Sequence, residues 1–473
     1  MQFNSIIFFV FYAVLLLLYF IVPKAGRWLV LLAGSIYFYL CFEPVYALVL
    51  AFVILIDYGA AIAIHKTKVA SRKNLFYLVA LISNIAILIF FKYFNFLNSS
   101  LTDLLSFIHI SNPVPFVKIL LPIGISYFIF SSISYLIDVK NERILPERNI
   151  GYYTLYVSFF PHISSGPIAR ATYLLPQFRK PQVFTTENFY IGSTQVMYGL
   201  FKKSVVGDRL GDYVSVYFSN IEHTSGFSTV IACWLFLFQL YADFSGYSDM
   251  AVGFARIFGI RIINNFQLPL FSKTMTELWR RWHISLSLWM RDYLFTPITI
   301  AKRNWGKYAV VFSQMITFAI VGIWHGAGWQ FLFYGIIHGI YLSSEFLLKI
   351  KSSYFNKSFL RKCLGVFITF NLLSFSLVFF RSQNMAEVIY TFKNIITNFA
   401  PVKLYIPDAI QYFTMLLMLG ILLALEYFVL RKNTWEMLLH RKPAFLMFIC
   451  LSFFMLILWF GISSSKQFIY FQF

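Results

Sequence analysis

Long apolar stretches alternate with short polar connections from one end of the chain to the other. Ser5–Val22, Tyr46–Ile64, Leu75–Phe91, Val117–Ile137, Thr229–Tyr241, Tyr308–Trp324, Trp329–Leu348, Leu364–Phe380, Tyr412–Leu430 and Ala444–Phe460 are the main ones. Each approaches the roughly 20 residues that carry a helix across a bilayer. Trp28–Phe42, Tyr152–Ile163 and Phe189–Leu200 are shorter and read as tilted or re-entrant. The pattern predicts an all-α polytopic membrane protein with about eleven to thirteen membrane segments. One integral membrane domain over 1–473 is expected, with a chemistry-bearing core at about 120–345 and peripheral helices at 1–119 and 346–473.

Composition sharpens this picture. Of 473 residues, 59% are apolar and 12% charged, against about 45–50% and about 25% in soluble domains. A free-standing soluble enzyme and a disordered scaffold are excluded. The balance of 39 Lys and Arg against 19 Asp and Glu gives a net charge of +20. In a soluble chain that would point to nucleic acid. Here cytoplasmic loops account for it, and no nucleic-acid partner is expected. Basic loops at His65–Asn74, Lys349–Lys362 and Arg431–Lys442 are placed in the cytoplasm; Phe94–Phe116 and Ser382–Gln411, poor in Lys and Arg, are placed outside, as are both termini. Met1–Asn4 has no basic n-region and no small-residue cleavage site follows Ser5–Val22, so that run reads as a retained helix. Cys41, Cys233, Cys363 and Cys450 are scattered without metal-ligand spacing and read as small apolar residues. No metal site is expected.

The core mixes apolar runs with Pro, Gly, Asp, Arg and His, which are costly in hydrocarbon. Leu121-Pro-Ile-Gly-Ile-Ser-Tyr127 reads as a packing kink. Phe159-Phe-Pro-His-Ile-Ser-Ser-Gly-Pro-Ile-Ala-Arg170 cannot form a regular helix and must be enclosed by protein or line a cavity. Asp243 and Asp249 end a spanning run; they fit a functional carboxylate pair or an ion pair with a base such as Arg256 equally well. Thr274-Met-Thr-Glu277 is a capping box. After it, Leu278, Trp282, Leu286, Trp289 and Tyr293 form a helical stripe, with His283, Ser287 and Arg291 on another face. An interfacial amphipathic helix explains Arg280 and the tryptophans well and His283, set among aromatics, less well. Last comes Gly322-Ile-Trp-His-Gly-Ala-Gly-Trp329, followed by Gly335-Ile-Ile-His-Gly339. A membrane histidine is more often a hydrogen-bonded packing residue. The glycines and tryptophans around His325 weigh against that reading. A buried neutral imidazole there could take the proton of an attacking hydroxyl, and the Trp324 indole N–H could donate to a developing oxyanion.

Together, LPIGISYFIF…SYLID, FFPHISSGPIAR, YADFSGYSDMAVG, WRRWHISLSLWMRDYLFTP and GIWHGAGWQFLFYGIIHG resemble the membrane-bound O-acyltransferase (MBOAT) superfamily, in its bacterial branch of alginate-type polysaccharide O-acetyltransferases. The five motifs run in order from Leu121 to Gly339, about half the chain. The resemblance implies a ring of helices around a thin centre that holds the active site. It places the family's histidine on His325 and its second position, His or Asn, on His283. Trp324, Arg291, Asp292, Asp243 and Asp249 take binding or supporting roles. After Thr296-Pro297, the chain reads Ile-Thr-Ile-Ala-Lys-Arg303 where relatives carry a Gly-rich turn, a departure that bears on the donor side.

The resemblance further implies a multi-pass protein of the bacterial inner membrane with no bound cofactor. It would move an acetyl group from cytoplasmic acetyl-CoA to an alginate-like exopolysaccharide or peptidoglycan. Transfer would be direct or through a soluble SGNH-hydrolase-like acetyltransferase outside. Two alternatives remain at this point: D-alanyl transfer to teichoic acid from a carrier protein, and a transporter without covalent chemistry that uses Asp243, Asp249 and Arg291 as its path.

Overall fold

The computed structural model describes residues 1–400, 408–429, 441, 443–462 and 468–469. Among them helices form and strands do not. Among the described residues, seven helices are long and apolar enough to cross a membrane: Pro44–Lys66, Ala70–Phe107, Gly226–Ile257, Lys307–His325, Phe359–Arg381, Ala409–Phe428 and Pro443–Phe460. Other expected segments are present as shorter or more polar helices, Ile6–Ile21 and Thr186–Leu200 among them. Arg431, Lys432 and Lys442 of the third basic loop lie outside the described residues. The chain divides into two compact units, one of residues 1–184 with 258–262, the other of 185–257 with 263–473.

In the first unit the order is α1 (Ile6–Ile21), α2 (Arg27–Leu40), α3 (Ala47–Lys66), α4 (Ala70–Leu88), α5 (Phe94–Phe107), α6 (Ile125–Lys140), α7 (Ile150–Ser158), α8 (Phe160–Ile163) and α9 (Ala171–Arg179). The expected span Val117–Ile137 is corrected here. The helix starts only at Ile125, because Pro122 removes a backbone donor inside the expected span and Gly124 adopts φ 74°. A side chain at Gly124 would collide with the Ile163 carbonyl, so the first two motifs meet at this glycine. Tyr152–Ile163 is likewise broken at Phe159, just before Pro161. His162, fully buried, makes a 2.8 Å hydrogen bond between Nε2 and the Tyr156 carbonyl oxygen. That is a packing role.

The second unit contains α10 (Thr186–Leu200), α11 (Asp208–Ser219), α12 (Gly226–Ile257), α13 (Met275–Arg281), α14 (Ile284–Met290), α15 (Thr296–Ala301), α16 (Lys307–His325) and α17 (Trp329–Leu347). After them come α18 (Ser352–Phe355), α19 (Phe359–Ser376), α20 (Val378–Arg381), α21 (Met385–Thr397), α22 (Ala409–Ala424) and Pro443–Phe460. Helix α12 has 32 residues, about 48 Å of length. It packs on α10 through facing glycines seven apart on each helix. A side chain at Gly199 would meet the Gly246 carbonyl, and one at Gly192 the Gly253 carbonyl. Such small-residue contacts let backbones approach where lipid offers no hydrophobic drive between helices. At the end of α10 a π-turn, Phe201–Gly207, swings Lys202 and Lys203 toward α12. The same device joins α16 to α17, where Gly322 faces Gly335.

Candidate active site

The expected helix after the capping box is corrected at its centre. Thr274 does cap α13: its hydroxyl accepts from the Glu277 N–H at 3.1 Å, while the Glu277 carboxylate accepts from the Lys273 N–H at 3.1 Å. The helix then stops at Arg281, and His283 sits in the left-handed region at φ 45°, ψ 53° before α14 begins. The apolar stripe therefore spans two helices, and His283 does not share a continuous face with Ser287 and Arg291. Asn265 holds the break open. Its carbonyl accepts from the Ile284 N–H at 2.9 Å and its side-chain oxygen from the Ser285 N–H at 3.1 Å.

A histidine tolerates this conformation better than a β-branched residue does. The backbone is fixed from both sides, so replacement should report the strain directly. His283→Val is expected to lose about 1–2 kcal/mol more unfolding free energy than His283→Asn. Denaturant melts of the two purified variants in detergent check this; equal midpoints would show that the left-handed turn carries no strain.

The turn aims His283 at an aromatic group. Its ring meets Phe244 edge to face at 4.9 Å and Trp324 at 5.7 Å. Trp324 in turn meets His325 at 5.0 Å. One indole thus lies against both imidazoles. His283, Trp324 and His325 are 0%, 5% and 5% exposed, so none faces lipid. His325 is the last residue of α16 and is walled by Phe380 at 4.8 Å and Tyr334 at 5.8 Å. The ring of Phe380 also packs on Phe331 at 5.3 Å. Phe331 and Phe380 line a cavity of about 420 Å³ whose other walls include Gln239, Asp243, Arg381 and Ser382. The second histidine of the Gly322–Gly339 motif, His338, accepts from the Trp279 indole N–H at 3.2 Å and makes a 2.9 Å hydrogen bond with the Ser376 hydroxyl. It is a fastener between α13, α17 and α19.

The two aspartates do not end a helix; both lie within α12, and neither pairing runs to Arg256 as one expectation had it. Lys203 Nζ donates to Asp243 at 2.5 Å and to Asp208 at 2.7 Å. Lys202 Nζ meets Asp249 at 2.7 Å and Glu426 at 3.7 Å. Glu426 also accepts from the Tyr241 and Tyr198 hydroxyls at 2.5 and 3.3 Å. Sequence reading missed Lys202, Lys203 and Glu426. A signal existed for the lysines, since two adjacent ammonium groups interrupt the run Tyr198–Val206. Arg291 and Asp292 pair with each other at 2.7 Å on a π-turn, with side chains 58% and 24% exposed. That places them in a setting unlike that of the buried histidines.

An all-helical chain with several apolar spans, which buries two histidines around one tryptophan beside a polar cavity, has the makings of a membrane-embedded enzyme. The family model described as "MBOAT, membrane-bound O-acyltransferase family" matches residues 125–386, and the chain belongs to that family. It is 34% identical to the probable alginate O-acetylase AlgI of Azotobacter vinelandii over 387 residues, 81% of this chain and 76% of the relative. It is 32% identical to the peptidoglycan O-acetyltransferase of Helicobacter pylori over 429 residues, 83% and 79% of the two chains. The teichoic acid D-alanyltransferase of Bacillus subtilis is 28% identical over 273 residues, 55% and 69%. This chain is a multi-pass membrane protein and an acyltransferase, of the membrane O-acetyltransferase kind.

Proposed function

We propose that the protein carries an acetyl group from acetyl-CoA in the cytoplasm to a hydroxyl of a polysaccharide beyond the bacterial inner membrane, with His325 as the base. The observation that carries this is the His283–Trp324–His325 group, buried in protein, with His325 packed on Phe380, a ring that also lines the cavity that carries Gln239, Asp243 and Arg381. The acceptor oxygen attacks the thioester carbonyl while His325 takes its proton. The Trp324 N–H donates to the oxyanion that forms. The carbon–sulfur bond breaks, and the imidazolium returns its proton to the departing thiolate. The ester and free coenzyme A result, and atoms and charge balance. His283, packed on the same indole, helps to fix and polarise it. Asp243 and Asp249 hold the helix that carries Phe244, and Arg291 with Asp292 supports the segment after α14.

The acceptor is an alginate-like exopolysaccharide or peptidoglycan, in keeping with the names of the relatives. It is reached directly or through an SGNH-hydrolase-like acetyltransferase outside, whose hydroxyl would take the acetyl group first. Likeness to the Bacillus subtilis protein keeps a second reading in view, D-alanyl transfer from a carrier protein. Mass spectrometry of envelope polymers from cells with and without the protein separates the two. An acetyl increment is expected on the polysaccharide, and an alanyl increment on teichoic acid would sink the proposal.

A further inference from the structure

Within the first unit, a cavity of about 380 Å³ opens among the ends of α1, α2, α7 and α9. Its lining gathers Lys24, Arg27, Arg179 and Lys180 beside the rings of Trp28 and Tyr152, which pack at 4.5 Å. Two of the cations already have structural work. Arg179 pairs with Glu147. Arg27 donates to the carbonyls of Phe20, Val22 and Gln182, which ties down the end of α1. Lys24 and Lys180 are exposed, and the described contacts give neither an acidic partner.

The position of this cavity follows from contacts inside the same unit. Lys73 of the basic 65–74 loop pairs with Glu142, just after α6, at 2.8 Å. Glu147, a few residues on, holds Arg179. A side chain at Gly151, in the first turn of α7, would meet the Trp28 ring. The cavity therefore lies at the same membrane face as the basic loop, which charge bias places in the cytoplasm. Near its lining residues in the chain, the exposed side chains are apolar: Ile21, Leu29 and Ile150 are 76%, 50% and 42% exposed. Tryptophan and tyrosine at helix ends mark the headgroup level of a bilayer. Basic pockets between membrane helices on the cytoplasmic side suit anionic lipid headgroups.

We propose that this cavity is a binding site for the phosphate headgroup of an anionic phospholipid of the cytoplasmic leaflet. The phosphodiester accepts from the Lys24 and Lys180 ammonium groups, within the field of Arg27. The acyl chains leave over Ile21, Leu29 and Ile150. A phosphatidylcholine headgroup is disfavoured, because its trimethylammonium meets the same three cations. A soluble phosphate compound shares the polar chemistry but has no chains to lay on those apolar side chains.

The test uses the full-length protein in nanodiscs of phosphatidylcholine, with or without phosphatidylglycerol, and native mass spectrometry to count retained lipid. The wild type is expected to retain phosphatidylglycerol. The double variant K24Q/K180Q is expected to bind it about 25-fold more weakly, roughly a factor of five per lysine. K24R/K180R keeps the binding. Both lysines are exposed, so the fold is not at risk; unchanged melting in phosphatidylcholine alone checks this. Equal retention by K24Q/K180Q and wild type would overturn the proposal. So would adenosine 3′,5′-bisphosphate that binds the wild type in phosphatidylcholine discs as tightly as phosphatidylglycerol does and loses that binding in K24Q/K180Q, because the site would then belong to a soluble phosphate.

Discussion

Replacement of His325 by alanine is expected to lower acetyl transfer by about two to four orders of magnitude, the usual contribution of a positioned general base. The protein should still reach the membrane folded. The ring is held by aromatic edges of Trp324, Tyr334 and Phe380, and its loss leaves a small void, not an orphaned charge. His325→Gln, closer in volume and polar but unable to take the proton, should fall as far in rate and less in stability. Acetyl esters released by mild alkali from the exported polymer give the activity. Circular dichroism melts in detergent give the fold. Ester levels that match the wild type in a folded His325→Gln protein would end the assignment of His325 as the base.

The largest loss of stability is expected from Lys203→Met. Its side chain is 2% exposed, Asp208 and Asp243 lie against it, and its ammonium also sits over the Phe468 ring at 4.5 Å. Removal of one partner from a buried ion pair costs about 3–5 kcal/mol, because the remaining charge stays desolvated. Two aspartates would be stranded here. The triple variant with Asp208→Asn and Asp243→Asn should recover much of the loss, since the amides need no counterion. Denaturant midpoints and membrane accumulation measure both proteins. A Lys203→Met protein that unfolds together with the wild type would show that water or another cation serves these carboxylates.

These two residues differ in how far the chain betrayed them. His325 could be found from its setting: a histidine closing an apolar run, among glycines and tryptophans, has few structural excuses. Lys203 is harder to find, because the chain shows two adjacent lysines in the run Tyr198–Val206 but not where they point. Only the packing of α10 on α12, through glycines at 192, 199, 246 and 253, shows that the pair turns inward. The ion-pair reading of the aspartates names Arg256 only as an example of a nearby base, and the partners are Lys202 and Lys203, because charge partners are chosen across helices and the sequence ranks candidates only by proximity along the chain. His283 reads as part of a regular helix for a related reason. Its flanking residues have helical spacing, and the break comes from Asn265, eighteen residues upstream, which captures the backbone donors of Ile284 and Ser285.

The sequence by itself determined that this chain is helical and lives in lipid, since so many apolar side chains and so few charges leave no other solvent for it. It also determined the family, through five motifs in order, and it marked both histidines. Tertiary structure alone decided that one indole touches both rings, that the acids of α12 answer to two lysines, and that the second histidine stands on a left-handed turn. Hydrophobic pattern is a local property that each segment carries with it. The pairing of buried polar groups is settled only when separate helices meet, because each group must then find a partner in a medium without water.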